Sequence, residues 1–218
     1  WRDRPLPVAD EAKYRNHGLI YQNPFIASYN HLGEAAYQGP RYELEDNAIV
    51  VGGGLASIDV VKVLMLETTR TALHRLGIEV GLLEIETRGI PRTLGEHHLR
   101  WEDLGLQGCT LLFWRGPKDL TLVPLDPNAS SKRTAQVETI RIRSMEKAME
   151  KYCFQFRPYT VVDGLEILND RVAGVRLRRT RFERDRLILT NDKWTKSCSY
   201  IVSSIGSIPE PISGLPME

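Results

Sequence analysis

The apolar run Ala48-Ile49-Val50-Val51 is followed at once by Gly52-Gly53-Gly54. A stretch free of glycine and proline then extends from Leu55 to about Leu76. The run is continuous and β-branched, the pattern of a strand buried on both faces. The stretch after it carries Val60, Val61, Val63, Leu64, Met65 and Leu66. It is apolar on nearly all sides and predicts a helix packed between a sheet and another layer. Residues 78–86, after Gly77, read as a second strand. The resulting βαβ unit has parallel strands, because the crossover is right-handed.

The remaining pattern is arranged around that unit. Residues 1–23 are polar and irregular, with Pro5 and Pro7 near the start. Residues 24–32 read as a short helix with Pro24 at its first position and Gly33 just beyond its end. Gly39-Pro40 marks a turn. Residues 110–115 and 120–124 read as strands around a turn at Gly116-Pro117-Lys118-Asp119, and 126–132 as a Pro/Asn/Ser loop. Residues 134–152 form an amphipathic helix with Val137, Ile140, Ser144/Met145, Ala148/Met149 and Tyr152 inward. A short strand at 154–157 leads to a three-strand meander at 164–168, 172–180 and 186–190. Arg176 and Arg178 alternate there with Val175 and Leu177, which gives one wet face. A buried strand at 200–206 runs into Gly206, followed by proline-stiffened segments at 208–211 and 214–216.

These elements predict an α/β fold: a Rossmann-like βαβ nucleotide-binding sheet with an antiparallel three-strand meander. The expected division is a lead-in linker and short helix over 1–45 and a nucleotide-binding domain over 46–218.

Composition narrows the classes. The net charge of +1 offers no electrostatic reason to expect nucleic acid or an anionic membrane as partner. No apolar run reaches the length of a membrane span. Cys109, Cys153 and Cys198 are far apart and form no C-x-x-C. That argues against a disulfide framework, a zinc ribbon or a dithiol redox centre, and for reduced thiols in a cytoplasmic protein. Glu96-His97-His98 is not a zinc motif, because adjacent histidines do not share a helix face.

The chemistry is concentrated at the glycine turn. Strand, tight turn and helix in that order give G-x-G-x-x-S, with Ser57 where the dinucleotide fingerprint has Gly or Ala. Gly52 permits the sharp turn, and Gly54 lets backbone approach a pyrophosphate. Gly53, Leu55 and Ala56 complete a cradle at a helix N-terminus. An acid after the second strand reads ribose hydroxyls, while an Arg there accepts a 2′-phosphate. Glu86, Arg88 and Arg92 supply both, so NAD and NADP stay open. Glu86 lies further from Gly52 than the usual ~20 residues.

The arrangement resembles the NAD(P)H-binding domain of flavoproteins with two dinucleotide-binding domains, in the pyridine nucleotide-disulfide oxidoreductase superfamily. It is most similar to the branch holding adrenodoxin reductase and the glutamate synthase small subunit. Five segments carry the likeness: 18–25, 50–59, Thr87-Arg88-Gly89, 173–177 and Ile201-Val202-Ser203-Ser204-Ile205-Gly206. That branch often has an Arg pair after the second strand; here Thr87 precedes Arg88. The family's flavin domain carries its own glycine motifs, and neither occurs here. The resemblance therefore implies a fragment that lacks its FAD domain, and the start at Trp1 agrees. It implies hydride transfer from NAD(P)H to flavin and an unidentified electron acceptor. Backbone amides and Gly206 would line the site, with no catalytic side chain. Two rival readings remain: an S-adenosylmethionine-binding methyltransferase domain, which needs a more regular α/β alternation than this chain has, and a non-catalytic structural domain.

Overall fold

The computed structural model describes residues 1–183, 186–210 and 214. The chain begins with β1 (Arg2–Asp3), α1 (Glu11–Tyr14), β2 (Leu19–Tyr21) and α2 (Gln22–Asn30). Next come β3 (Ile49–Gly52) and the long α3 (Leu55–Arg75). Two short helices, α4 (Leu82–Arg88) and α5 (Ile90–Glu96), precede β4 (Thr110–Leu112). Then follow α6 (Ser131–Tyr152), β5 (Gln155–Arg157), β6 (Thr160–Leu168), β7 (Arg171–Glu183), β8 (Arg186–Ser197), β9 (Ile201–Ser204) and β10 (Ser207–Ile208).

Five strands form one sheet in the order β2-β9-β3-β4-β5, with every neighbouring pair parallel. The period of two along each strand divides its core. Ile20, Val50, Leu111 and Val202 face α3 and the other helices. Leu19, Tyr21, Ile49, Leu112 and Ile201 face the other way, onto Val162, Leu165, Val175 and Leu177 of the antiparallel sheet β6-β7-β8. The strands read as unbroken apolar runs because helices cover one face and the meander covers the other. α3 is buried almost all round, which explains its lack of a polar side.

The expected α/β architecture is present, but several elements differ from expectation. Residues 78–86 form no strand. Gly81 caps α4, and Gly89, at φ +88°, ends α4 and begins α5. Leu82, Leu83, Glu84 and Glu86 are strong helix formers, and Ile85 is fully buried among core side chains. The next strand to pair with β3 is β4, so the crossover carries α3, α4 and α5 before it returns.

Residues 1–23 are not irregular throughout: β2 lies in the main sheet beside β9. Its three residues are all buried, but the run is too short to stand out between polar neighbours. Residues 120–124 form no strand; only Thr121 makes a bridge, to Gly54. Helix α2 starts two residues ahead of Pro24. On α6, Ile140 is exposed, and Arg141 turns inward instead. Its guanidinium donates to the Val123 carbonyl (2.6 and 3.0 Å) and to the Lys118 carbonyl (3.1 Å). Of the proline-stiffened tail, residues 211 and 215–216 lie outside the described residues. The described helices include none long and apolar enough to cross a membrane.

Candidate functional site

The glycine turn stands at the carboxyl end of β3, between β9 on one side and β4 on the other. Parallel sheets leave a crevice at that end. A cavity of about 700 Å³ opens there, lined by Gly52–Ser57, by the ends of β4 and β9, and by β6.

The turn is tightly packed on its inner side. A side chain on Gly52 would collide with the Ser204 carbonyl and the Ser57 hydroxyl, and one on Gly53 with the Phe113 ring. At Gly54 the one atom close to an added Cβ is Thr121 Oγ1 at 3.3 Å, a contact that a shift of a few tenths of an ångström in that side chain relieves. The turn is also tied from outside. The Gly53 carbonyl accepts the Thr121 N–H at 2.8 Å and the Thr121 hydroxyl at 3.2 Å. The Arg141 guanidinium anchors the segment that carries Thr121, through the carbonyls of Lys118 and Val123. Helix α3 starts at Leu55, with its free amides at the cavity.

Charge favours an anion. Among the described residues lining the cavity there is no Asp or Glu, and Arg4 is the cation. Beside the cavity, Trp114 and Arg115 follow β4. Trp114 lines the cavity and is 40% exposed. The Arg115 guanidinium lies 4.5 Å from the Trp114 ring and 5.0 Å from that of Phe182. Its Nε is buried without a hydrogen-bond partner among the described residues. Arg115 is not itself among the residues that line the cavity; its guanidinium stands against the Trp114 ring, which does.

Gly52, Gly53, Gly54, Leu55, Ala56, Ser57 and Gly206 come together around this cavity. Gly206, at φ +97°, turns the chain away from the end of β9. Glu86, Arg88 and Arg92 are elsewhere. Glu86 pairs with Lys62 of α3 at 3.1 Å, Arg88 with Glu84 and Glu96, and Arg92 with Glu96. None of the three lines the cavity. Their assignment depended on a strand ending at Glu86, and that segment is helical. Trp114, Gln22 and Thr121 also line the cavity, and sequence reasoning did not single them out. Arg115, three residues beyond Leu112, is the Arg that follows the strand paired with β3.

No family model matches the chain, and no curated protein matches it in sequence. Solved structures do overlay on it. FprA from Mycobacterium tuberculosis in complex with NADPH matches with a TM-score of 0.63 and 19% identity, over all of this chain and 50% of that one. A structure of the same oxidoreductase that reports a covalent modification of NADP+ gives 0.62 and 18%, with the same coverage. Thioredoxin reductase from T. acidophilum gives 0.48 and 10%, over 95% of this chain and 42% of that one. The FprA likeness is one of fold, and this chain spans half the length of those FprA chains.

Proposed function

We propose that this chain is the NADP(H)-binding domain of an FAD-dependent oxidoreductase of the adrenodoxin reductase-like branch. The observation that carries the reading is the pairing of two features at one cavity. A glycine turn opens onto it with free helix amides, and Trp114 of its wall carries the Arg115 guanidinium against its ring, just outside the lining itself. Both suit a dinucleotide with a 2′-phosphate. FprA, described with NADPH, supports the same cofactor class.

The backbone of Gly52, Gly53, Gly54, Leu55 and Ala56 holds the pyrophosphate. Ser57 packs the helix start against β9, and Gly206 borders the nicotinamide side. Arg115 takes the role first assigned to Arg88 and accepts the 2′-phosphate, which favours NADP over NAD. The absence of a carboxylate among the described lining residues agrees, because a carboxylate is what an NAD site sets against the adenosine ribose hydroxyls. When bound, NADPH supplies a hydride to the flavin of a companion domain. The protein's own part is to bind, orient and exclude water. The half-length match to FprA supports a missing FAD domain, and the three free cysteines suit a reducing, cytoplasmic setting.

The test is calorimetric titration of the chain with NADPH and with NADH. Binding with preference for NADPH supports the reading. Binding of neither refutes it, and preference for NADH removes Arg115 from its role. Steady NADPH oxidation by the chain alone would contradict the domain assignment.

A further inference from the structure

Ser57 occupies a position where the fingerprint has Gly or Ala, and it is fully buried. Its hydroxyl lies 3.2 Å from the Ser204 carbonyl oxygen and 3.0 Å from the Ser204 hydroxyl. The Ser204 hydroxyl in turn donates to Gln22 Oε1 at 2.5 Å. Ser57 lies in the first turn of α3, Ser204 ends β9, and Gln22 begins α2 at the carboxyl end of β2. All three border the cavity.

A hydroxyl proton directed at Oε1 sets the orientation of the Gln22 amide. The other end of that amide, Nε2, carries two N–H donors and makes no hydrogen bond to any described residue. Gln22 is half-buried and lines the cavity.

Strand order determines which part of a ligand meets them. β4, which leads to Arg115, lies on one side of β3; β9 and then β2 lie on the other. A dinucleotide with its pyrophosphate on Gly52–Gly54 and its 2′-phosphate at Arg115 extends its nicotinamide nucleoside over β9 and β2. This geometry rests on the nucleotide reading above. We propose that Gln22 is a specificity-determining residue for the nicotinamide nucleoside half. Its amide donates to an oxygen of that half, the carboxamide carbonyl or a ribose hydroxyl. Ser57 and Ser204 are positioning residues that fix the direction of its amide. Alanine at position 57 would fit the turn equally well, but it would remove the first hydroxyl of the chain.

The test uses two ligands on the full chain: NADPH, and 2′,5′-ADP, which carries the adenylate half and the 2′-phosphate only. Gln22→Ala is expected to weaken NADPH about five- to tenfold, the range of one neutral hydrogen bond, and to leave 2′,5′-ADP unchanged. Gln22→Glu keeps an acceptor for Ser204 but loses both donors, so it is expected to fail as a rescue. Ser57→Ala is expected to weaken NADPH in the same direction by less, again with 2′,5′-ADP unchanged. Unchanged NADPH affinity in Gln22→Ala overturns the proposal. An equal loss for both ligands also overturns it, because that marks a general disturbance of the site. If the unsubstituted chain binds neither ligand, the nucleotide reading and this proposal fall together. If it binds both, only the fate of Gln22 remains at stake.

Discussion

Gly52 and Ser204 are paired across the ends of β3 and β9, with no room between them for one methyl group. Any side chain at Gly52 must move either the Ser204 backbone or the first turn of α3. Gly52→Ala is therefore expected to cost about 1–3 kcal/mol by overpacking, read as a lowered Tm. Gly54→Ala is a contrasting case. Its backbone (φ −103°, ψ 176°) suits alanine, and the only close neighbour of the new methyl is Thr121. Its Tm should stay near that of the unsubstituted chain, while NADPH affinity falls by about tenfold or more. A thermal melt and a titration on both variants separate folding from binding. Equal behaviour of the two would contradict the assignment of Gly54 to the ligand side.

Arg115 lies against the rings of Trp114 and Phe182, with one nitrogen unpartnered among the described residues. Arg115→Ala is expected to lower NADPH affinity about 10- to 100-fold, the loss of one or two charge-assisted hydrogen bonds. NADH affinity should not change. Arg115→Lys should restore little, because an ammonium lacks the planar face that the two rings hold. Competition between the two nucleotides measures this directly.

Glu86 lies on α4 in an ion pair with Lys62, which is partly buried; burial opposes the raised pKa of Lys62, and the Glu86 carboxylate sustains it. Glu86→Gln is expected to leave both NADH and NADPH affinity unchanged. Its effect on stability should not exceed ~1 kcal/mol, the range of a surface pair. A loss of NADH binding would return Glu86 to the ribose.

The Tyr21 phenol is pushed up to about 12, first by burial and then by donating to the Glu11 carboxylate. Its pKa in the folded state is raised above the unfolded value. Its contribution to stability is therefore complete below about pH 10 and is lost as pH rises toward about 12. Denaturant melts between pH 9 and 12 should show this fall, and Tyr21→Phe should flatten it. A fall of equal steepness in Tyr21→Phe would assign the effect to other tyrosines, of which Tyr200 is the most deeply buried.

The turn and helix around Gly52 were legible because backbone constraint and hydrophobic pattern coincide there. Three glycines separate a β-branched run from a long apolar helix. The meander was legible from its alternation, and α6 from its period. The partner of β3 was not: residues 110–115 read as a strand, but 78–86, nearer in the chain, read as one too, and periodicity alone does not distinguish a short buried strand from a short buried helix. Ile85 is buried by packing among core side chains, a tertiary contact with no local signature. That one displacement turned the search for a ribose-reading residue to Glu86 and Arg88 instead of to the residues after β4. β2 escaped notice because three residues become a strand only through pairing with β9. The Ser57–Ser204–Gln22 chain joins residues far apart in sequence, so its members had no local pattern to mark them.

The most direct test of the account is an amide chemical-shift map of the ¹⁵N-labelled chain titrated with NADPH. The predicted result is a set of perturbed amides at 52–57, 113–116 and 204–206, with 84–92 unmoved. Shifts concentrated at 84–92, or no saturable shifts at the glycine turn, would contradict it.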